Sequence, residues 1–84
     1  MRDVIVYTTE SCSYCSRVKM LLRSQEVAFE EVNLAGDPEG VIALSEKTGM
    51  MTLPQVTVGG ILVGGYDETA RAASSGMLAD LLAD

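Results

Sequence analysis

Hydrophobic residues follow two different spacings in the first third of the chain, and these predict a strand followed by a helix. Val4-Ile5-Val6-Tyr7 is a short, continuously apolar run, typical of a strand that is buried on both faces. From Ser11 to about Ser24 the apolar positions follow one helix face, at Tyr14, Val18, Leu21 and Leu22. Cys12 is therefore predicted at the amino terminus of this helix.

The middle of the chain predicts a second strand and a second helix. The strand is predicted over Val27 to Asn33, where Phe29 lies among acidic residues. Asp37-Pro38 then supplies a helix N-cap followed by proline at the first helical position. Gly49 is predicted to end this helix, because glycine readily adopts the left-handed conformation found at helix ends.

The last third predicts an antiparallel hairpin and two short helices. Gly59-Gly60 forms a two-residue turn between two apolar runs that begin at Gln55 and Ile61. Asp67 is predicted to cap the third helix, and a final helical segment follows from Met77 to Leu82. The element order β-α-β-α-β-β-α indicates one α/β domain over the whole chain, whose first two strands are parallel.

Charge and composition exclude several classes of function. Twelve acidic residues against six basic residues give a net charge of -6, which argues against nucleic acid as a partner. The chain has no histidine, so it cannot use a Ser-His-Asp or Cys-His mechanism. Its start lacks a signal-peptide pattern, and its apolar runs are far shorter than the ~20 residues that span a bilayer. We therefore expect a cytoplasmic protein that does not associate with membranes.

The motif Cys12-Ser13-Tyr14-Cys15 follows a strand and opens a helix, the context in which C-x-x-C indicates thiol redox chemistry. Residues three apart share one helix face, so the two sulfurs can approach each other. Cys12 lies among unpaired backbone N–H groups, which favour a thiolate. Further positive charge on this helix comes from three residues, Arg17, Lys19 and Arg23. We predict that Cys12 is the nucleophile and that Cys15, one turn further in, is the resolving thiol. Two alternatives stay open: a pair of free core cysteines, or a structural zinc site shared between two chains.

Three motifs in register resemble those of the glutaredoxins, in particular the small bacterial dithiol kind. They are Tyr7-Thr8 before the C-S-Y-C sequence, Thr52-Leu53-Pro54-Gln55, which resembles the family's T-V-P segment, and Gly64-Gly65-Tyr66-Asp67-Glu68, which resembles its G-G-x-[DS]-[DE]. The resemblance covers residues 3–82. It implies a thioredoxin-like fold with a four-stranded mixed sheet flanked by helices. It also implies glutathione-dependent reduction of protein disulfides and of glutathione mixed disulfides. A thioredoxin is a weaker match, because no tryptophan precedes Cys12.

The resemblance also implies a glutathione-binding set, formed by Tyr14, Thr52, Leu53, Pro54, Gly65, Tyr66, Asp67 and Glu68. In the family the proline that matches Pro54 is cis, and the backbone before it pairs with the cysteinyl residue of glutathione like an added strand. The aspartate that matches Asp67 meets the γ-glutamyl ammonium group. Each residue also has a purely structural interpretation: a strand-start proline at Pro54, an N-cap at Asp67, and a core aromatic residue at Tyr14.

The chain departs from the family pattern at three places. Thr9 stands where a lysine usually precedes the C-x-x-C segment, and Met50-Met51 stands where an arginine often precedes the T-V-P segment, so both usual anchors of the glycyl carboxylate are missing. Lys47 is the nearest substitute in the sequence. The two methionines predict an adaptable apolar rim suited to protein substrates, or else core packing. Ser13, where many members have proline, loosens the active-site turn.

Some glutaredoxins that resemble this C-S-Y-C version hold a [2Fe-2S] cluster between two chains, with one cysteine from each chain and two glutathione thiolates. The alternative function is therefore a cluster-binding dimer for iron-sulfur storage or transfer, in which Cys12 would be the metal ligand. Without a cluster no metal is expected. We then expect a monomer whose partners are glutathione and disulfide-containing or glutathionylated proteins.

Overall fold

The computed structural model describes residues 2–83, and the apolar run at the start of the chain forms a strand inside a four-stranded sheet. The elements, in chain order, are β1 (Val4–Thr8), α1 (Ser13–Ser24), β2 (Glu30–Asn33), α2 (Pro38–Thr48), β3 (Gln55–Val58), β4 (Ile61–Gly64), α3 (Tyr66–Ser75) and α4 (Met77–Leu82). No helix in this described range is long and apolar enough to cross a membrane.

The sheet has the strand order β2-β1-β3-β4 and is mixed. β1 pairs in parallel with β2 and antiparallel with β3, and β3 continues through the Gly59-Gly60 turn into β4. Both glycines of that turn have positive φ angles, 56° and 83°. Such angles are readily adopted by glycine, which is why this pair can form the two-residue turn. The predicted order of elements, the parallel first pair and the hairpin are confirmed.

The core lies on one face of the sheet, between the two central strands and three helices. Alternate residues of β1 and β3 point toward these helices, since side chains alternate along a strand. The buried apolar side chains of this cluster are Val4, Val6, Val18, Leu22, Val27, Val56, Val58, Ala72 and Leu78. They come from β1, β3, α1, α3, α4 and the α1–β2 connection. α1, which begins at the cysteine motif, and α3 therefore pack against each other on this face of the sheet.

The helix ends of α2 follow the predicted signals. The Asp37 carboxylate accepts the backbone N–H of Gly40 at 3.0 Å, and Pro38 occupies the first helical position. Gly49 ends the helix in the left-handed conformation with φ 79°. The helix is only shallowly buried, because Leu44 is its one fully buried side chain in the described structure.

Two predicted boundaries are wrong. The second strand begins at Glu30 rather than Val27, because the chain first turns back: the Val27 N–H donates to the Leu22 carbonyl, and Glu26 has φ 58°. Pairing with β1 starts only at Glu30. Asp67 does not cap the third helix, which begins at Tyr66 with Gly65 as its N-cap residue.

Candidate active site

The two cysteines lie one turn apart at the start of α1 and differ in exposure. Cys12 is the N-cap residue, as predicted, and its sulfur accepts the backbone N–H of Cys15 at 3.1 Å. Cys12 is half-buried, Cys15 is 2% exposed, and both thiols are free. The alternative of two core cysteines is therefore wrong for Cys12, which is only half-buried.

Burial raises the pKa of the Cys15 thiol to about 11, from an ordinary value of 9.0. The cause is the loss of hydration that a thiolate would suffer in this position, and the hydrogen bond with Cys12 acts in the same direction. A hydrogen bond from the Thr9 backbone and the positive charge of Lys19 partly oppose this increase in pKa. Near neutral pH Cys15 is thus a protonated thiol, which supports Cys12 as the attacking residue.

A charged cluster lies between α1 and the edge strand β2. Lys19 forms an ion pair with Glu31 at 3.1 Å, and the same carboxylate accepts the Thr8 hydroxyl at 2.7 Å. The Thr8 hydrogen bond, followed by the Lys19 contact, holds the pKa of Glu31 below its usual range. Lys19 is therefore already paired, and its charge acts on the buried cysteine from a distance.

The two arginines of α1 stack on aromatic rings. The Arg17 guanidinium lies 5.2 Å from the centre of the Tyr14 ring, and that of Arg23 lies 5.4 Å from the centre of the Phe29 ring. The first turn of α1 contains no acidic residue. The positive end of the helix dipole therefore lies beside the Cys12 sulfur.

A groove of about 300 Å³ opens beside Cys12. Its lining residues come from α1, from the segment before β3 and from the start of α3: Tyr14, Met50, Thr52, Leu53, Pro54, Gly65, Tyr66, Asp67 and Glu68. The Cys12 sulfur lies 4.0 Å from the Leu53 carbonyl oxygen, which connects the reactive thiol to this wall. The eight residues predicted to contact glutathione therefore all lie in one groove, together with Met50.

Tyr14 is on the outside of α1 rather than in the core, so its interpretation as a core residue is wrong. The helix buries Cys15, Val18 and Leu22 toward the sheet, which turns Tyr14 toward the groove with 52% of its surface exposed. Its ring lies 6.0 Å from that of Tyr66, in a tilted arrangement. The two tyrosines form an aromatic wall between α1 and α3.

The segment before β3 forms the opposite wall. The Leu53–Pro54 peptide bond is cis, as the resemblance implies. Met51 is 81% exposed, so it does not pack into the core. Met50 is half-buried and lines the groove. The two methionines thus form a rim, which is the first of the two predicted arrangements.

The start of α3 is shaped by Gly64, Gly65 and Glu68. A Cβ atom on Gly64 would lie 2.7 Å from the Cβ of Glu68, and Gly64 has φ 131°, so both space and conformation require glycine there. The Glu68 carboxylate accepts the Gly65 N–H at 2.8 Å and forms an ion pair with Arg71 at 3.3 Å. Glu68 therefore closes the helix terminus, whereas Asp67 is exposed in the first turn.

The sequence alone assigns no role to Gln55 beyond its place in the Thr52-Leu53-Pro54-Gln55 motif. Its side chain is 1% exposed and hydrogen-bonds to the segment that forms the groove wall. The available signal was a polar residue at the start of a strand that is otherwise β-branched. The pairing of Lys19 with Glu31 was also missed, because the two residues meet only when β2 lies beside β1.

Comparison with known proteins agrees with this geometry. The glutaredoxin family model matches residues 4–63. The glutaredoxin of Pseudomonas aeruginosa is 40% identical over 82 residues, covering 98% of both chains, and glutaredoxin 3 of Escherichia coli is 34% identical, covering 98% of this chain and 99% of its own.

Solved structures show the same fold. The crystal structure of a buckwheat glutaredoxin-glutathione complex has a TM-score of 0.86 and 31% identity, covering 96% of this chain and 76% of that one. The solution structure of a Brucella melitensis glutaredoxin has a TM-score of 0.85 and 38% identity, covering 98% and 89% of the two chains. A thioredoxin-like fold that carries a C-x-x-C motif at the first helix defines the class of thiol-disulfide oxidoreductases. Within that class, the chain belongs to the glutaredoxin family.

Proposed function

We propose that the protein is a glutathione-dependent oxidoreductase that reduces glutathione mixed disulfides and protein disulfides through Cys12 and Cys15. The observation that carries this proposal is the single groove beside the Cys12 sulfur, lined by all eight residues of the expected glutathione-binding set. The similarity to the buckwheat protein, whose structure is a glutathione complex, supports the same ligand.

With a glutathione mixed disulfide, one cysteine is sufficient. The Cys12 thiolate attacks the glutathione sulfur, so a Cys12–glutathione disulfide forms and the substrate leaves as a thiolate, which takes a proton from water. The thiolate of a second glutathione attacks the glutathione sulfur of this intermediate. Oxidised glutathione then leaves, and the Cys12 thiolate is restored. Overall, one glutathione thiol is consumed, the substrate thiol is released, and oxidised glutathione contains the consumed glutathione joined to the one that entered on the substrate.

With a protein disulfide, both cysteines take part. Cys12 attacks one substrate sulfur and forms a mixed disulfide, and the other substrate sulfur leaves as a thiolate. Cys15 loses its proton to solvent and attacks the Cys12 sulfur, which releases the second substrate thiolate and forms a Cys12–Cys15 disulfide. Two glutathione molecules then reduce this disulfide. Since burial raises the pKa of Cys15, this thiol is protonated near neutral pH in the free protein and must lose its proton before it can attack.

The polar groups of glutathione are complementary to backbone and side-chain groups of the groove. Its cysteinyl backbone pairs with the main chain at Leu53, whose carbonyl oxygen lies 4.0 Å from the Cys12 sulfur. Its γ-glutamyl carboxylate accepts N–H groups at the start of α3, and its ammonium group meets the exposed Asp67 carboxylate. The groove lining in the described structure contains two acidic residues and no basic one. The glycyl carboxylate is therefore the weakly held end of the ligand.

The [2Fe-2S] alternative remains a prediction, as do the cytoplasmic location and the monomeric state. Within residues 2–83 no group of three or more His, Cys, Asp or Glu side chains could hold a metal ion, so a cluster would need a second chain. The half-buried Cys12 thiol is the ligand that such a dimer would use. Absorbance of anaerobically purified protein, with and without a chelator, tests this alternative.

The proposed function is tested by steady-state turnover of one peptide in two forms, disulfide-linked to glutathione or to cysteine, in an assay coupled to glutathione reductase. We expect kcat/KM to be about tenfold or more higher for the glutathione form, because only that form fills the groove. Equal values for both forms would show that the protein reduces disulfides without recognising glutathione.

A further inference from the structure

Gln55 is a buried amide whose hydrogen-bonding capacity is used by one short segment. It is the first residue of β3 and is 1% exposed. Its Nε2 donates to the Met50 carbonyl and to the Thr52 carbonyl, both at 3.0 Å. Both N–H bonds of the amide are therefore directed at the chain that precedes the strand.

Thr48, the last residue of α2, completes the arrangement. Its hydroxyl lies 2.8 Å from Gln55 Oε1 and 3.0 Å from the Leu44 carbonyl, and its single proton is shared between these two acceptors. The same oxygen accepts the Met50 N–H at 3.2 Å. The amide thus connects the end of α2 to the loop that follows it.

This loop, residues 49–54, has no regular secondary structure and forms one wall of the groove. The Gly49 N–H still donates to the Ser45 carbonyl of α2 at 2.8 Å, whereas the hydrogen bonds that hold the Met50 and Thr52 backbone come from side chains. The two carbonyls that Gln55 holds flank Met51, which is 81% exposed and holds the loop in place poorly. Leu53, whose carbonyl lies 4.0 Å from the Cys12 sulfur, follows directly after the second held carbonyl.

We propose that Gln55 is a positioning residue that holds loop 49–54 from beneath, so that the Leu53 backbone stays at the distance from Cys12 at which a disulfide substrate can pair with it. This inference rests on the proposed use of the groove by glutathione disulfides. Gln55 acts through the loop, since it is buried and is absent from the groove lining. Thr48 fixes the orientation of the amide, because its hydroxyl donates to Oε1 and leaves Nε2 facing the two carbonyls.

The test compares Gln55→Met with Val58→Ala. Methionine has a similar length but no donor, so both loop carbonyls lose their partner. Val58 is fully buried at the other end of the same strand, so Val58→Ala lowers stability through a cavity without touching the loop. Four quantities are measured for each variant: KM for a glutathionylated peptide, amide hydrogen exchange of residues 50–53, the rate of Cys12 alkylation by iodoacetamide, and the melting temperature.

For Gln55→Met we expect KM to rise about tenfold and the loop amides to exchange faster, while Cys12 alkylation stays within about twofold of the wild type. Val58→Ala should lower the melting temperature but leave KM and loop exchange unchanged. If the two variants change KM and loop exchange equally, Gln55 is only a stability residue and the inference is wrong.

Two further measurements keep the outcomes distinct. If the wild-type protein does not distinguish glutathionylated from cysteinylated peptide, the proposed function fails, whereas the loop exchange still reports whether Gln55 holds the loop. If Gln55→Met does not fold, Thr48→Val removes only the hydroxyl and should give a smaller increase in KM and in loop exchange. No change in either quantity for a folded Thr48→Val would also overturn the inference.

Discussion

Two helices begin at the same groove, and their amino termini are built in opposite ways. At α1 the N-cap is Cys12, the first turn has no acidic residue, and the sulfur itself accepts a backbone N–H. At α3 the N-cap is Gly65, which has no side chain, and the first turn contains Asp67 and Glu68. Glu68 supplies the missing cap by accepting the Gly65 N–H.

The two helix termini therefore differ in the charge that they present to the groove. The positive end of α1 faces the Cys12 sulfur, which we propose is the attacking group. The positive end of α3 is compensated by its own carboxylates, and the exposed Asp67 presents negative charge to the groove. One terminus is suited to nucleophilic attack and the other to recognition of an ammonium group.

The largest expected effect is the loss of the sulfur at the start of α1. Cys12→Ser should abolish reduction of both glutathione mixed disulfides and protein disulfides, because no attacking thiolate remains. The matched variant Cys15→Ser should retain most activity toward the glutathione mixed disulfide and lose activity toward protein disulfides. Steady-state assays with both substrates check this, and the opposite pattern would reverse the assignment of the two cysteines.

The next effect is expected at the start of α3. Asp67→Asn keeps the shape of the side chain and removes its charge, so KM for a glutathionylated peptide should rise about tenfold. Asp80→Asn is the matched control, since Asp80 is an exposed acid in the first turn of α4 and its loss changes net charge equally. An equal KM for the two variants would show that Asp67 does not meet the ligand.

A carboxylate added to α1 makes its terminus resemble that of α3. Ser13→Asp places negative charge in the first turn, and this should slow Cys12 alkylation by iodoacetamide at neutral pH about two- to fivefold, the factor given by ~0.5–1 kcal/mol. Ser13→Asn has nearly the same shape without the charge and should react like the wild type. If both variants are alkylated equally slowly, the loss of Ser13 from the turn, and not the added negative charge, lowers the rate.

A cation added near the cysteine motif should change KM for glutathionylated peptide by a factor no larger than the one expected for Ser13→Asp. This change should become smaller at high salt. Thr9 lies three residues before Cys12 and its backbone lowers the pKa of the Cys15 thiol, so we expect a lysine at this position to attract the glycyl carboxylate. Thr9→Lys should lower KM for glutathionylated peptide about two- to fivefold at low ionic strength, and less at high ionic strength. Ser24→Lys, at the other end of α1, is the control and should leave KM unchanged.

The last effect concerns stability at alkaline pH and should vanish at neutral pH. The pKa of Cys15 rises from 9.0 to about 11 on folding, so between these values the unfolded chain binds fewer protons than the folded chain. The free energy of unfolding should therefore fall as pH rises from 9 toward 11. In Cys15→Ala this part of the decrease should disappear, which denaturant titrations at pH 8 and pH 10.5 measure. An unchanged decrease in that variant would assign the effect to other groups.

The element order and the reactive motif are readable from local pattern. Residues close together in sequence determine three of the elements. A continuous β-branched run forms β1, a helical apolar stripe forms α1, and a glycine pair forms the hairpin turn, so these elements are where the sequence predicts them. The C-x-x-C at a strand-to-helix junction has a local cause too, because the unpaired N–H groups belong to the same few residues. The binding set, by contrast, was predicted only through resemblance to a family.

Tertiary structure alone decided the features that depend on contacts between residues far apart in sequence. Pairing with β1 sets where β2 begins, and the Glu68 carboxylate rather than Asp67 caps α3. The burial of Cys15, Val18 and Leu22 against the sheet turns Tyr14 outward. The loop before β3 takes its place because Gln55 holds it, and three segments far apart in sequence meet in one groove. These features depend on which side chains lie close together in the folded structure. Spacing along the chain does not determine those distances.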